Sequence, residues 1–208
     1  MTNSNNLIDS LEIYTLSNPD DVKPHWVSHF IVPTANELLI KIKNKDGNSG
    51  FGLATSYTDI APLIKPFSNG LSDLIIGEDP FCPEKIYQKI FKLTDTRISN
   101  EKEWSKEAII RISAALDIAC WDLIGKSSNI PLYKLFGGFR NKVPVYVTCG
   151  YYRKGKSDTE LREELNKLIE IGHQSFKVKV GGLSIKEDAK RLEIIREEIG
   201  EEKSLMID

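Results

Sequence analysis

Two lysines interrupt a short apolar segment of the chain. Lys177 and Lys179 lie in "FKVKVGG" (Phe176–Gly182), whose aromatic and β-branched residues predict a strand. Side chains alternate along a strand, so both lysines point to the same face, and Phe176, Val178 and Val180 point to the other. Two like charges this close bias one amine towards its neutral, basic form. The spacing therefore predicts a catalytic lysine pair.

Asp208 closes the apolar segment "SLMID" and follows Lys179 by 29 residues. A carboxylate at the end of a strand beside a lysine-bearing strand suits a hard cation as a ligand. Both features also have ordinary explanations. Lysines on an edge strand discourage pairing between sheets, and an aspartate after a strand often caps a helix. The edge explanation fits an antiparallel sheet better than a parallel one, whose two faces are normally covered.

From Val143 onward, predicted strands alternate with predicted helices. The strands are "VPVYVTCG", "QSFKVKV" and "SLMID", and the helices span residues 158–172 and 185–200, ending at Gly172 and Gly200. The apolar stripe of the second helix is predicted to comprise Ile185, Ala189, Leu192 and Ile199. A strand about every 30 residues indicates βαβ units in a parallel sheet.

An eight-stranded β/α barrel takes about 200–250 residues, and residues 143–208 are too few to close one. We therefore expect the chain to be a truncated portion of a longer protein; a small open α/β sheet is the alternative. Barrel active sites lie at the C-terminal ends of the strands, where Lys179 and Asp208 are placed. The same argument puts Cys149 and Tyr151 at the rim, with Tyr151 as a candidate ligand contact and Cys149 as a small buried residue.

The first part of the chain reads as strands followed by helices. Strands are expected within residues 7–17, 29–44 and 46–54, the last after an Asp-Gly hairpin. A helix at residues 106–126 is apolar on nearly every face, so it is predicted to be buried on more than one side, with Gly125 as its C-terminal cap. This pattern indicates an antiparallel sheet packed against helices, an α+β domain.

Composition excludes several classes of protein. A net charge of −2 and a pI near 6.0 give no electrostatic basis for binding nucleic acid or an anionic membrane. Cys82, Cys120 and Cys149 form no CxxC pair, and the N-terminus lacks the features of a signal peptide. We therefore predict a cytoplasmic protein with reduced thiols. The three histidines show no metal-site spacing.

Three segments together resemble a known family. "AALDIACWDLIGKSSNIPLYKLFGG" (Ala114–Gly138), then "FKVKVGG", then "LMID" are similar to the mandelate racemase/muconate lactonizing group of the enolase superfamily. The resemblance implies an α+β N-terminal capping domain at residues 1–138. It further implies that residues 139–208 are the first β/α units, strands 1 to 3, of a TIM-type (β/α)7β barrel that is incomplete here.

The resemblance also implies a chemistry. It points to Mg²⁺ as cofactor and to removal of the proton α to a carboxylate through an ene-diolate. Lys179 would be the general base, Lys177 would neutralise the substrate carboxylate, and Asp208 would be the first of three metal carboxylates. Capping loops at about residues 18–29 and 50–58 would shape specificity. The candidate substrate-binding residues are Trp26, Tyr57 and Tyr151.

Several functions share this step and remain open. A sugar-acid dehydratase is favoured, followed by a racemase or epimerase and by a cycloisomerase, all acting on a small carboxylate substrate. A Schiff-base lyase would use Lys177 or Lys179 as nucleophile instead, and a non-catalytic relic or interaction module is the third possibility. The remaining metal ligands and the opposite acid/base are expected beyond Asp208, so the 208-residue chain alone is expected to be inactive. The resemblance also favours a homo-oligomer.

Overall fold

The structure is a computed structural model that describes residues 5–18, 23–33 and 35–208. These residues form two compact units. Unit 1 comprises residues 5–18 with 35–141, and unit 2 comprises residues 23–33 with 142–208. Among the described residues, none of the helices combines the length and the apolar character that crossing a membrane requires.

Strands and helices are numbered along the chain. The strands are β1 (Ile8–Ser17), β2 (His25–Trp26), β3 (Ile31–Val32), β4 (Asn36–Asn44), β5 (Ser49–Ser56), β6 (Val147–Cys149), β7 (Ser175–Val178) and β8 (Ser204–Ile207). The α-helices are α1 (Ala61–Ser68), α2 (Pro83–Phe91), α3 (Arg97–Glu101), α4 (Lys106–Ser128), α5 (Leu132–Leu135), α6 (Asp158–Ile171) and α7 (Ile185–Ile199), with 3₁₀ turns at Ser72–Leu74 and Lys92–Asp95.

Unit 1 is built on an antiparallel sheet in the strand order β1–β4–β5. The chain turns from β4 into β5 at the predicted Asp-Gly pair, where Gly47 has a φ of 87°. Leu38, Ile40 and Ile42 alternate along β4 and are fully buried. This face of the sheet therefore carries the core, and the predicted α+β arrangement is confirmed.

Helix α4 packs directly on β5 because two glycines on that strand leave room for it. A Cβ at Gly50 would lie 1.9 Å from the carbonyl oxygen of Ala119, and one at Gly52 would lie 1.9 Å from that of Ala115. No side chain fits at those distances. Helix α4 also packs against α2, which explains why it is apolar on nearly every face.

The C-terminus of α4 differs from the prediction. Gly125, the predicted cap, lies inside the helix, and Asn129 takes the left-handed conformation that ends it, with a φ of 52°. A Cβ at Gly125 would lie 3.2 Å from the Leu132 side chain. Gly125 therefore does not end the helix. Its lack of a side chain leaves room for the segment that folds back after the helix.

Unit 2 contains a parallel sheet with β7 between β6 and β8. Helices α6 and α7 connect these strands, as βαβ units require. Both helices begin with a capping box and end at the predicted glycines, Gly172 and Gly200. Strand β6 is shorter than predicted, and residues 143–146 are not part of it. Pro144 lacks the amide proton that a ladder needs there.

The core of unit 2 lies between the sheet and its two helices. Phe176 and Val178 of β7 are fully buried. They pack against a cluster from α6 and α7 that comprises Leu161, Leu165, Ile194, Ile195 and Ile199. The prediction that Phe176 and Val178 face away from the lysines is therefore confirmed, whereas Val180, predicted on the same face, is only half-buried.

The apolar stripe predicted for α7 is wrong in its first turns. Ile185 is 91% exposed, and Ala189 is exposed as well. The buried residue of this region is Asp188, which lies on the same face as Ile195 and Ile199. A search for apolar side chains cannot detect a carboxylate that hydrogen bonds hold inside.

Residues 23–33 pack within unit 2 through the short β2–β3 hairpin. The Trp26 amide donates a hydrogen bond to the Tyr152 carbonyl oxygen at 2.9 Å. The rings of the same two residues stack with centroids 5.7 Å apart. Residues 23–29 of the predicted loop at residues 18–29 are therefore held by the parallel-sheet unit, whereas Asn18 belongs to unit 1 and residues 19–22 lie outside the described residues.

The second predicted capping loop is wrong for most of its length. Residues 50–56 belong to strand β5, and only Tyr57 and Thr58 follow the strand. Gly50 and Gly52, inside this range, make room for α4. The domain boundary predicted after Gly138 stays a prediction.

Candidate active site

The site lies where the parallel strands of unit 2 end. Lys177 is in β7, flanked in register by Thr148 of β6 and Met206 of β8. The ladder continues past the strands, because the amide of Val180 donates to the carbonyl oxygen of Asp208 at 2.9 Å. Parallel pairing therefore brings the ends of β7 and β8 side by side.

The two lysines and the aspartate meet on one face of the sheet. The Lys177 Nζ atom lies 2.7 Å from Asp208 Oδ2, and the Lys179 ammonium donates a hydrogen bond to the same oxygen. The side chains of Lys177, Lys179 and Asp208 are 25%, 20% and 44% exposed. The three groups singled out from the sequence thus form one cluster that water can reach.

The contacts set the charge state of two of these groups. Hydrogen bonds from Lys177, the larger cause, and from Lys179 lower the pKa of the Asp208 carboxyl to about 2. The hydrogen bond with Asp208 raises the pKa of Lys177, against the opposing effect of burial. At neutral pH Asp208 is therefore ionised, as a metal ligand must be, and Lys177 carries its positive charge.

The edge-strand explanation for the lysines does not apply here. Strand β7 is paired on both sides, so it presents no open ladder that a lysine would need to protect. Lys177 also lies over the ring of Tyr146, with its Nζ 5.6 Å from the ring centroid. Tyr146 was missed in the sequence because it carries no motif.

The three aromatic candidates are in different places. Tyr151 follows β6 and meets His25 edge to face, with ring centroids 4.7 Å apart. Trp26 is half-buried against Tyr152. Both belong to unit 2, as the lysines do, whereas Tyr57 is an exposed residue of unit 1. Their substrate-binding roles stay predictions.

Comparison with protein families identifies the chain. The model of the mandelate racemase/muconate lactonizing enzyme N-terminal domain matches residues 10–137. The chain belongs to the mandelate racemase/muconate lactonizing enzyme family. An enolase C-terminal domain-like model matches residues 160–208, which contain both lysines and Asp208.

Individual members of the family agree with this assignment. The arabinonate dehydratase of Saccharolobus solfataricus is 34% identical over 171 residues, covering 82% of this chain and 44% of that enzyme. The L-Ala-D/L-Glu epimerase of Clostridium acetobutylicum is 34% identical over 191 residues, covering 89% and 49%. The chain therefore spans about half the length of the curated relatives it matches.

A solved structure confirms the fold. The crystal structure of a racemase from Streptomyces coelicolor A3(2) with bound magnesium superposes with a TM-score of 0.80 at 27% identity, covering 97% of this chain and 55% of that one. The predicted fold class, a capping domain followed by the first units of an incomplete barrel, is thereby confirmed. Members of the mandelate racemase/muconate lactonizing enzyme family, including this neighbour, use Mg²⁺.

The described residues fit part of a magnesium site. Asp208 supplies an ionised carboxylate, the hard oxygen donor that Mg²⁺ prefers. One carboxylate is far fewer than the roughly six ligands of an octahedral ion, and the described residues contain no group of three or more His, Cys, Asp or Glu that could hold a metal. The type of donor thus fits Mg²⁺, but the described residues supply too few donors to hold it.

A second group of polar residues at the strand ends was not predicted from the sequence. Tyr152, Asp188 and Arg191 form a buried network behind residues 179–182. The available signal was the spacing of Asp188 from Ile195 and Ile199, which places a carboxylate on the inner face of α7.

The prediction that Cys149 is a small buried residue is consistent with the structure. Cys149 is buried, and its burial raises the pKa of its thiol to about 11.

Proposed function

We propose that this chain supplies the base-bearing part of a Mg²⁺-dependent site that removes the proton α to the carboxylate of a hydroxy acid. The observation that carries the proposal is the convergence of Lys177 and Lys179 on Asp208 at the ends of adjacent parallel strands. In β/α barrels, catalytic groups come from the C-terminal ends of several strands. Membership of the mandelate racemase/muconate lactonizing enzyme family supports the same reaction class.

Each residue has a separate task in this proposal. Lys179, nearest to the end of its strand, takes the α-proton as the general base. Lys177 keeps its charge and places it against the substrate carboxylate, where negative charge increases as the ene-diolate forms. Asp208 would hold Mg²⁺, which when bound supplies further positive charge to the carboxylate oxygens. Trp26, Tyr151 and Tyr57 would contact the rest of the substrate.

The favoured overall reaction is dehydration of a sugar acid to a 2-keto-3-deoxy acid. The similarity to arabinonate dehydratase supports it. The second candidate is racemisation or epimerisation, which the equally similar L-Ala-D/L-Glu epimerase supports. Both begin with the same proton removal, and analysis of the product, a keto acid or an epimer, separates them. The proposal covers the protein encoded by the complete reading frame, and its self-association is proposed on the same basis.

The test is exchange of the α-proton with solvent deuterium, catalysed by the protein from the complete reading frame with Mg²⁺ and a panel of sugar acids. Lys179→Ala is expected to lower the exchange rate by a factor on the order of 10² to 10⁴, the usual contribution of a general base. The matched control is Lys190→Ala, which removes another paired lysine on the outer surface of α7. It should leave the exchange rate unchanged.

Two results would count against the proposal. If Lys179→Ala exchanges as fast as the wild type with each epimer of the substrate, Lys179 is not the base on either face. If borohydride in the presence of a carbonyl substrate traps a covalent adduct on Lys177 or Lys179, a Schiff-base lyase replaces it. Addition of a chelator is expected to abolish exchange by the wild type.

A further inference from the structure

A buried carboxylate on α7 is tied to the end of β7. Asp188 is 7% exposed, and its carboxylate accepts hydrogen bonds from residues that follow β6 and β7. Its Oδ2 accepts a hydrogen bond from the Gly181 amide at 2.7 Å, and its Oδ1 accepts one from the Tyr152 hydroxyl at 2.6 Å. These hydrogen bonds, against the effect of burial, lower the pKa of Asp188.

Arg191, one turn further along α7, completes the connection. Its Nη1 contacts Asp188 Oδ1 at 3.0 Å and the Lys179 carbonyl oxygen at 3.3 Å. Its Nη2 donates to the Gly150 carbonyl oxygen at 2.6 Å. One guanidinium thus joins the ends of β6 and β7, and one of its acceptors belongs to the residue proposed as base.

Tyr152 holds the same segment at Gly182. Its hydroxyl accepts a hydrogen bond from the Gly182 amide at 3.2 Å. The tyrosine ring lies so close that a Cβ at Gly182 would be 2.4 Å from it. The guanidinium of Arg191 lies over this ring at 4.1 Å, and Trp26 stacks on it as well. The network therefore holds the backbone at three of the four residues 179–182, namely 179, 181 and 182.

Such a network is an unusual way to stabilise a fold. Buried ion pairs contribute little net stability, because desolvation offsets their attraction, and apolar residues of similar size often do better. Here most of the hydrogen bonds go to backbone groups at two strand ends, which fixes their positions. Removing the hydrogen-bond partners that orient metal ligands commonly changes activity by about 10- to 100-fold, and groups that orient a reactive lysine are expected to act similarly.

We infer that Tyr152, Asp188 and Arg191 are positioning residues that hold the backbone of residues 179–182 and thereby fix the location of the Lys179 amine. The inference rests on the proposed function of Lys179 as the base. A shift of about 1 Å in a reacting group can cost 100-fold in rate, so freedom at residues 179–182 would lower turnover. Binding of the substrate would be affected little, because Lys177, inside β7, keeps its place in the ladder.

The experiment compares Tyr152→Phe and Asp188→Asn with the wild type in the protein from the complete reading frame. Tyr152→Phe keeps the ring and removes only the hydroxyl; Asp188→Asn keeps the size and removes the charge. The matched control is Arg162→Gln, which breaks an arginine–carboxylate contact between α6 and the far end of α7. Amide hydrogen exchange is followed at residues 179–182, together with kcat and KM for the α-proton exchange reaction.

We expect faster amide exchange at Gly181 in Asp188→Asn and at Gly182 in Tyr152→Phe. In both variants kcat should fall about 10- to 100-fold while KM stays within about twofold. Arg162→Gln should leave amide exchange at residues 179–182, kcat and KM unchanged. Equal losses in all three variants would indicate general destabilisation and overturn the inference.

The inference would also be overturned if amide exchange became faster in Tyr152→Phe and Asp188→Asn while kcat stayed unchanged. Failure of the proposed function is distinguishable, because the wild type itself would then exchange no α-proton. In that case unchanged protection of residues 179–182 in the variants would overturn the positioning network on its own, and faster exchange would support it. Tyr152→Phe, the milder change, keeps the test decisive if Asp188→Asn does not fold.

Discussion

The two sheets of the molecule each bury one face beneath helices, and they differ in what the opposite face carries. In unit 1 that face holds exposed large side chains such as Tyr14 and Leu53. It also holds an ion pair of one lysine with one carboxylate, in which Lys41 Nζ lies 3.2 Å from Glu12 Oε1. In unit 2 it holds two lysines directed at one carboxylate. A functional site is therefore indicated less by the number of charged side chains on a sheet face than by an excess of one sign of charge over the other.

The buried faces differ as well. Unit 1 achieves close contact by removing side chains from β5, so that backbone meets backbone at α4. Unit 2 fills the space between its strands and helices with large side chains, above all Phe176. The first arrangement leaves no space for an added atom, whereas the second depends on volume that can be taken away.

The largest effect is expected where α4 meets β5. Gly52→Val would place a side chain where a Cβ alone comes within 1.9 Å of a carbonyl oxygen. We expect a loss of about 5 kcal/mol or more in the free energy of unfolding, enough to unfold unit 1. Urea denaturation followed by circular dichroism measures it. Leu53→Ala, on the opposite face of β5, is the control and should change stability little; comparable losses in both would contradict the packing argument.

Strand β7 allows the two faces of unit 2 to be compared directly. Phe176→Ala removes a fully buried ring and should cost about 3–5 kcal/mol of the free energy of unfolding. Lys177→Ala, the next residue, should change that free energy far less, because ion pairs that water can reach contribute little. A loss of stability in Lys177→Ala as large as that in Phe176→Ala would mean that the lysine is a structural residue.

The smallest effect concerns the order in which the units open. Cys149 lies in the smaller cluster of unit 2 and Cys120 in the larger cluster of unit 1. As urea is raised below the main transition, a thiol reagent should modify Cys149 before Cys120, while the exposed Cys82 reacts from the outset. Mass spectrometry of the labelled peptides gives the order. Earlier labelling of Cys120 would instead mean that the core of unit 1 opens before that of unit 2.

The pH dependence of unit 2 follows from the same thiol. Burial raises the pKa of Cys149 from its ordinary value of 9.0 to about 11. Between pH 9 and 11 the unfolded chain loses this proton before the folded one, so the free energy of unfolding falls as pH rises. In Cys149→Ala this part of the fall should be absent, and an unchanged slope between the two proteins would argue against burial as the cause.

The sequence predicted those features that depend on local pattern. Alternation in "FKVKVGG" placed Lys177 and Lys179 opposite Phe176 and Val178, and glycine stops located the ends of α6 and α7. The regular βαβ spacing placed Asp208 beside the lysines. Each of these conclusions needs only the period of a strand or helix and the direction of parallel strands.

The errors arose where distant parts of the chain decide the outcome. Gly125 was predicted to be a helix end because glycine favours that position, and the family resemblance implied a loop at residues 50–58. Their actual role is close approach of other backbone segments, which no local pattern shows. Asp188 was missed because its hydrogen-bond partners come from distant parts of the chain, the segments that follow β6 and β7.

The alternation of side chains along β7 limits how this segment can change in length. Inserting one residue between Phe176 and Lys177 would turn the amine beneath α6 and α7 and bring Val178 to the open face. Inserting two residues would restore both faces. An amine can therefore be relocated along this strand only in steps of about 6.6 Å, two residues at a time, which is a constraint on natural insertions and on redesign alike.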